Sequence, residues 1–360
     1  MYIKRLKLKA FRNYAEEELE FSPLTNFIYG NNAHGKTNIL EAVYLFAQGR
    51  SHRAKSDREL IKFGEDQARL TLEFSDSSRD YIADMRISAS GRKAININHV
   101  PVAKLSKLMN YLNVVMFSPE DLELVKGSPY FRRRFIDSAI SQLYPSYLAS
   151  LMEYHKVLEQ KNSLLKALRA SGAAGDPTLS VWNEALAAAG SKLMEARAEF
   201  TEHINSAAGR IQEEISGEKL IIKYLPSIKC ADITSEGLLD YLSARERREI
   251  ELGSSQYGVQ RDDLEIYVNG KEAKLFASQG QQRTAALAMK MAQAEYIEDI
   301  KGEWPVLLLD DIMSELDLSR RMYLSERIRD KQVLITSTDT DLVEGGTDTR
   351  LFHIENGRVI

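Results

Sequence analysis

The sequence predicts an α/β protein of two lobes, the first built on a parallel sheet and the second mostly helical. Residues 30–37 form a glycine-rich stretch between an apolar run at 27–29 and a helical pattern. Residues 306–311 form another apolar run, and it ends in two acids, as buried strands do at the ligand edge of a parallel sheet. From about 130 to 211, apolar residues recur at helical spacing. We assign residues 1–118 and 285–360 to the first lobe and residues 119–284 to the second.

Composition is that of a globular protein. The 360 residues are 44% hydrophobic and 28% charged, and this length can bury a sizeable core. Cys230 is the only cysteine, so no intramolecular disulfide can form, and no apolar run approaches the ~20 residues that span a bilayer. We expect a cytoplasmic protein without a membrane partner. The net charge of −4 gives no global attraction for nucleic acid, so local basic patches would have to supply it.

The first residues alternate between apolar and basic side chains, which predicts a half-buried strand. Arg5 and Lys7 belong to this strand, and Glu18 and Glu20 belong to a similar one that follows. We expect the two strands to pair as a hairpin with bases facing acids, because opposite charges across strands are ordinary surface stabilisers. A contact between these bases and nucleic acid is the alternative.

Residues 30–37 match the G-x-x-x-x-G-K-T pattern of a P-loop. The glycines let backbone N–H groups curl around a phosphate, and the following helix adds its positive end. Lys36 would reach the β- and γ-phosphates, and the Thr37 hydroxyl would hold magnesium. The predicted nucleotide-binding residues are Gly30, Asn31, Asn32, Ala33, His34, Gly35, Lys36 and Thr37.

A basic loop at 49–58 follows the P-loop helix and contains Arg50, Arg53 and Lys55. It could contact nucleotide or a second polyanion, or it could be a solvated surface. Past a buried strand at 114–117, a second basic cluster, Arg132, Arg133 and Arg134, opens the helical region. Two long helices follow at about 145–211, separated by a glycine- and proline-containing break at 171–177. They are predicted to fold back as an antiparallel pair, each arm about 25 residues long.

Two further segments could complete a nucleotide site. Asp310 is placed to hold magnesium, and Asp311 to orient or deprotonate a water. The segment Ser278, Gln279, Gly280 and Gln281 precedes an alanine-rich helix, whose N-terminus would form a second anion site or carry an ordinary cap.

Taken in order, the segments 30–37, 278–282, 307–311 and 314–317 resemble the ABC-type ATPase heads of the structural-maintenance-of-chromosomes class. Within that class the chain looks most like the RecF family of bacterial DNA replication and repair proteins, over essentially its whole length. Further matches to that family lie at 11–14, 49–53, 117–121 and 261–264.

The resemblance implies an ATP- and Mg²⁺-dependent homodimer arranged head to tail. Ser278, Gln279, Gly280 and Gln281 would act as a signature motif on the nucleotide held by the partner's Lys36. Ser314, Glu315, Leu316 and Asp317 would form a loop that crosses the dimer interface. Lys36 and Asp311 would be catalytic, with Thr37 and Asp310 at the metal.

The resemblance also implies a weak, DNA-dependent ATPase in DNA damage repair and the SOS response. ATP would clamp the dimer on gapped DNA or on junctions between duplex and single strand, slow hydrolysis would release it, and RecR and RecO would act with it in loading RecA. The candidate DNA contacts are Arg50, Arg53, Lys55, Arg132, Arg133 and Arg134.

Three departures from the ABC pattern favour slow hydrolysis. Gln279 stands where ABC signatures have a glycine, Asp311 replaces the usual glutamate, and residues 336–338 contain no switch histidine. Two other functions stay open: the ATP-binding subunit of a membrane transporter, and an ATP-binding scaffold without turnover. The long insertion between residues 37 and 278 argues against the transporter subunit.

Overall fold

The structure is a computed structural model that describes residues 1–103, 105–230, 232–338 and 349–360. The strands are β1 (Tyr2–Phe11), β2 (Tyr14–Glu20), β3 (Thr25–Tyr29), β4 (Gln67–Ser75), β5 (Asp80–Ser88), β6 (Lys93–Ile97), β7 (Val100–Pro101), β8 (Val114–Phe117), β9 (Leu220–Leu225), β10 (Asp263–Val268), β11 (Lys271–Glu272), β12 (Val306–Asp310), β13 (Val333–Ser337), β14 (Arg350–Glu355) and β15 (Arg358–Val359).

The helices are α1 (Lys36–Gln48), α2 (Leu105–Leu108), α3 (Glu123–Lys126), α4 (Pro129–Leu143), α5 (Pro145–Ser171), α6 (Thr178–Ser216), α7 (Ser235–Ser243), α8 (Glu246–Leu252), α9 (Ala273–Phe276), α10 (Gln279–Lys301), α11 (Ile312–Glu315) and α12 (Leu318–Ile328). Short 3-10 helices cover Asp57–Leu60, Pro119–Leu122 and Val259–Arg261.

A parallel sheet forms the centre of the first lobe, as predicted. Its strand order is β15-β14-β3-β13-β12-β8, with only the edge strand β15 antiparallel to its neighbour. The strand that leads into residues 30–37 is β3, and the strand that ends in the two acids is β12. One strand, β13, separates them, so both segments end at the same edge of the sheet.

Both faces of this sheet are covered, which explains why its strands are continuous apolar runs. Side chains alternate along each strand, so Val115 and Leu307 pack into a core shared with α4, α6 and α10. Val114 and Val306 point to the other face, toward α1 and the N-terminal strands. The sheet thus separates two hydrophobic cores.

An antiparallel sheet of order β2-β1-β4-β5-β6-β7 covers α1. The predicted hairpin is confirmed: Arg5 faces Glu20 and Lys7 faces Glu18, and both bases form ion pairs with these acids. The basic side chains of β1 are therefore cross-strand partners of acids.

The predicted antiparallel helical pair is also confirmed. Pro145 occupies the first turn of α5, and α5 packs along α6. At 39 residues, α6 is longer than predicted, because its apolar stripe continues past α5 to pack on α10 and β9. No helix in the described ranges is both long enough and apolar enough to cross a membrane.

A buried arginine ties the second lobe together. Arg197 of α6 is 1% exposed, and it donates to Asp137 Oδ1 at 2.8 Å, Asp262 Oδ2 at 3.0 Å and the Val259 carbonyl at 2.7 Å. A buried charge is tolerable only when it is paired this completely. The family match at 261–264 therefore includes a structural ion network.

Candidate active site

The two glycines of the P-loop are required by their surroundings. Gly30 has φ +146°, and a Cβ built on it would lie 2.2 Å from the carbonyl oxygen of Ile354 in β14. Gly35 has φ +111°, and its Cβ would lie 2.6 Å from Asn13 Nδ2. L-residues rarely adopt these φ values, and here neighbouring atoms also leave no room for a side chain.

Lys36 begins α1 and is 4% exposed. Its Nζ donates to the carbonyls of Gly30 at 2.8 Å and Asn31 at 3.0 Å, so the ammonium group lies against the loop that it is predicted to serve. Burial lowers the pKa of Lys36, and the nearby carboxylates of Asp311 and Asp310 oppose that shift. The ammonium is therefore held at the place where phosphate oxygens would bind.

Thr37 and Asp310 are in direct contact although they are far apart in sequence. Thr37 Oγ1 donates to Asp310 Oδ1 at 2.8 Å, and Thr336 Oγ1 donates to the same oxygen at 2.8 Å. Burial raises the pKa of the Asp310 carboxyl, against these hydrogen bonds and the charge of Arg53. A hydroxyl and a carboxylate at one point fit Mg²⁺, which binds through few protein ligands and completes its shell with phosphate oxygens and water.

Asp311 has the left-handed conformation, with φ +52°. This backbone costs a non-glycine residue about 1–3 kcal/mol and is concentrated at active sites. Its N–H donates to Thr336 Oγ1 at 3.0 Å, so one threonine fixes both acids. Thr336 belongs to the segment in which the switch histidine is absent, and its hydroxyl contacts the Asp310 carboxylate and the backbone of Asp311.

The signature residues lie at a helix N-terminus, as predicted. Ser278 caps α10: its Oγ accepts from the Gln281 N–H at 3.2 Å, and Gln281 Oε1 accepts from the Ser278 N–H at 2.8 Å. This is the ordinary capping box that the sequence left open as the alternative. Ser278 and Gln279 are exposed, so the same N-terminus also opens to solvent. The action of these residues on a partner's nucleotide stays a prediction.

Residues 314–317, which are predicted to form the interface loop, lie beside α10. Arg283 Nη1 donates to the Glu315 carbonyl at 3.1 Å, Leu316 is buried, and Asp317 caps α12. Ser314 Oγ donates back to the Asp311 carbonyl at 2.8 Å. The loop therefore connects the acids of β12 to the signature helix.

The arginines of the α4 cluster are occupied by protein groups. Arg132 is 4% exposed and makes a bidentate pair with Asp263, at 2.6 and 2.9 Å. It is therefore unavailable to a phosphate backbone, and its assignment as a DNA candidate is wrong. Arg133 donates to the Asp262 carbonyl at 2.7 Å, and Arg134 donates to the His52 carbonyl at 3.2 Å, both from half-buried positions.

Arg50, Arg53 and Lys55 are exposed, as expected of a loop. Arg53 and Arg134 line the same cavity, of about 420 Å³, so the two basic clusters of the sequence meet in space. Arg53 is also near enough to Asp310 to lower the pKa of its carboxyl. A contact of Arg53 with the nucleotide therefore stays one of the predicted alternatives.

Sequence reasoning gave no role to three groups that brace the P-loop. Asn13 Nδ2 donates to the His34 carbonyl at 2.8 Å, Tyr14 OH donates to the Gly35 carbonyl at 3.0 Å, and the Gly357 N–H donates to the His34 carbonyl at 3.0 Å. The family match at 11–14 marked Asn13 and Tyr14 without explaining them.

Fold and site together define the class. A P-loop strand and an acid-tipped strand at one sheet edge, with a capped signature helix from a second lobe, make this chain an ABC-type ATPase head.

The chain belongs to the RecF family. The family model described as the RecF/RecN/SMC N-terminal domain matches residues 2–358. Proteins named DNA replication and repair protein RecF are similar over the whole chain: the one from Clostridium acetobutylicum is 41% identical, with 100% of this chain and 99% of the relative covered. The relative from Lactobacillus delbrueckii subsp. bulgaricus is 42% identical, with 100% and 97% covered.

Solved structures agree with this assignment. A structure of the recombination mediator protein RecF with ATP, in the RecFOR pathway, superposes with a TM-score of 0.93 at 35% identity, covering 100% of this chain and 97% of the other. An Smc head bound to the C-terminal winged-helix domain of ScpA has a TM-score of 0.59 at 16% identity, covering 100% and 97%, and is similar in fold alone.

Proposed function

We propose that this protein is an ATP-dependent clamp that dimerises on DNA and assists recombinational repair. The observation that carries the proposal is that one chain has two unlike helix N-termini, each of which would serve as an anion site. The P-loop site is assembled from distant segments around Lys36 and the Thr37–Asp310 contact. The signature helix opens to solvent with its cap in place. The P-loop site would bind ATP and the metal, and the signature helix would add the contacts to the γ-phosphate.

In the proposed dimer, ATP and Mg²⁺ bind at the P-loop of one subunit, with Thr37 and Asp310 holding the metal. Ser278 and the N–H groups at Gln279 and Gly280 of the other subunit close on the γ-phosphate, where a helix N-terminus favours an anion. Asp311 orients or deprotonates the attacking water, and hydrolysis dissolves the dimer.

Exposed apolar side chains flank the signature and support its burial against a second copy. Leu275 and Phe276 directly precede the signature and are 66% and 67% exposed. Leu318, which follows the interface loop, is 70% exposed, and Met322 of the same helix is 64% exposed. Apolar side chains concentrated beside an anion site are typical of a surface that is covered in an assembly.

Mixing two defective variants tests the head-to-tail arrangement. Lys36→Met removes the P-loop lysine, and Ser278→Arg blocks the signature, so each variant alone should form no ATP-dependent dimer. A mixed dimer has one fully intact composite site, and we expect sedimentation to reveal it with Mg-ATP. The Lys36→Met/Ser278→Arg double variant mixed with Lys36→Met has a defective P-loop in every composite site, in mixed dimers and in homodimers alike, and is the control. Equal behaviour of the two mixtures would refute the arrangement.

The DNA part of the proposal draws on the names of the relatives and on the exposed basic loop. We propose that the dimer binds gapped DNA or a duplex/single-strand junction and loads RecA together with RecO and RecR. Arg50, Arg53 and Lys55 are the remaining candidates that are exposed, while Arg133 and Arg134 are half-buried.

A salt titration tests the loop. The double variant Arg50→Ala/Lys55→Ala should weaken DNA binding and reduce the slope of log affinity against log salt by about 2, because each lost phosphate contact removes roughly one unit. Arg248→Ala removes an exposed arginine of the second lobe and should leave the slope unchanged. An unchanged slope in the double variant would remove the loop from the DNA interface.

A further inference from the structure

Arg320 connects the signature helix to the interface loop. It lies in the first turn of α12, directly after residues 314–317, and its side chain is 15% exposed. Its guanidinium donates to the Gly280 carbonyl at 2.8 Å through Nη2 and to Thr284 Oγ1 at 2.7 Å through Nε. The remaining nitrogen, Nη1, pairs with the carboxylate of Asp317.

These contacts form a closed set. Thr284 Oγ1 accepts from Arg320 Nε and donates to the Gly280 carbonyl at 3.0 Å, so three groups hold one another in place. Thr284 is fully buried, and a Cβ on Gly280 would lie 3.3 Å from Arg320 Nη2. Three separate nitrogens of one rigid guanidinium reach three separate acceptors, and the single nitrogen of a lysine ammonium cannot reproduce that spacing.

A simple surface ion pair does not account for this arginine. Asp317 and Arg320 are three residues apart on one helix, and such a pair alone contributes little. Two of the three donor groups instead point across to α10. On the same helix, Arg327 pairs with Glu214 of α6 and touches no signature residue.

We propose that Arg320 is a positioning residue that locks the signature motif to the interface loop. The two elements predicted to meet the partner subunit are then presented at a fixed spacing, so that ATP held by the partner meets Gly280 and the loop together. This inference rests on the proposed ATP-dependent dimer. Without Arg320 the Arg283–Glu315 contact still joins α10 to the loop, but the Gly280 carbonyl loses its hydrogen bond to α12, and dimer formation must order the first turn of α10.

The test compares Arg320→Ala, Arg320→Lys and the control Arg327→Ala with wild type. Two quantities are measured: ATP affinity of the monomer, by titration at a protein concentration too low for dimers, and the dimer dissociation constant in saturating Mg-ATP, by sedimentation. Thermal unfolding of each variant checks the fold. Loss of charge-assisted hydrogen bonds should weaken the Arg320→Ala dimer at least about tenfold. ATP affinity should stay within about twofold, because no contact joins Arg320 to the P-loop among the described residues.

Arg320→Lys should weaken the dimer nearly as much as Arg320→Ala. If Arg320→Ala does not fold, the dimer dissociation constant of Arg320→Lys tests the proposal. The inference is overturned if Arg320→Ala dimerises like wild type, if Arg320→Lys restores the dimer, or if Arg327→Ala is equally impaired. It also fails if Arg320→Ala loses ATP affinity in the monomer. Failure of wild type itself to dimerise with ATP would instead refute the proposed function.

Discussion

The P-loop and the signature motif both present helix N-termini, yet one is enclosed and the other is open. At the P-loop, Lys36 is buried, two glycines fit against neighbouring backbone and side-chain atoms, and Asp310 reaches in from another strand. At the signature, Ser278 and Gln279 are exposed, and the cap is formed by residues of the motif itself. In the proposed dimer, this difference separates the half of an ATP site that a single chain organises from the half that it offers to another chain.

The largest expected effect separates ATP hydrolysis from dimer formation. Asp311→Asn keeps the size of the side chain but removes the base, so single-turnover hydrolysis should fall about 10²- to 10⁴-fold while ATP-dependent dimers persist. Hydrolysis is measured by rapid quench and the dimer by sedimentation. If hydrolysis by the variant equals a low wild-type rate, the protein is a scaffold that binds ATP without turning it over.

Matched glycine substitutions compare the two sites directly. Gly30→Ala places a Cβ 2.2 Å from a backbone oxygen. The variant should lose about 3 kcal/mol or more of the free energy of unfolding, and it should also lose ATP binding. Gly280→Ala meets only a side chain at 3.3 Å and gains up to about 1 kcal/mol of helix propensity. It should keep monomer ATP affinity and weaken only the dimer. Denaturant titration measures the free energy of unfolding of each variant, and nucleotide titration measures its ATP affinity. An equal loss of folding stability in Gly30→Ala and Gly280→Ala would contradict the difference between the two sites.

A smaller effect concerns pH. Because burial raises the pKa of Asp310, this carboxyl takes up a proton at higher pH than an exposed aspartate, and the proton competes with magnesium. Mg-ATP affinity of the monomer should therefore fall as pH drops toward the pKa of Asp310, by at most about tenfold per pH unit. Asp310→Asn should bind more weakly at every pH but without this slope. Residues 278–281 contain no titratable side chain, so the signature should add no slope of its own.

The smallest effect concerns the brace behind the P-loop. Asn13→Ala removes the hydrogen bond to the His34 carbonyl and the one that Asn38 donates to Asn13, also at 2.8 Å. Each such bond contributes about 1 kcal/mol, so monomer ATP affinity should fall roughly 5- to 30-fold at most. Isothermal titration measures this, and an affinity equal to wild type would mean that the backbone of the loop holds its shape alone.

Much of this architecture could be predicted because local patterns carry it. Alternating charges placed Arg5 opposite Glu20, and the acid-tipped run placed Asp310 at the edge of a parallel sheet beside the P-loop. Arg132 was predicted wrongly because its partner, Asp263, is distant in sequence, and exposure of a charged side chain cannot be read from a local run. The roles of Thr336 and Arg320 were missed for the same reason, since each depends on which strands and helices become neighbours.

The bracing of the P-loop by β14 bears on how the protein is made. Strand β3 and residues 30–37 leave the ribosome early, yet β3 pairs with β13 and β14, Gly30 fits against Ile354, and His34 accepts a hydrogen bond from Gly357. Contacts of such long sequence separation form late in folding. The surroundings of the P-loop are therefore complete only after β13, β14 and Gly357 have been translated.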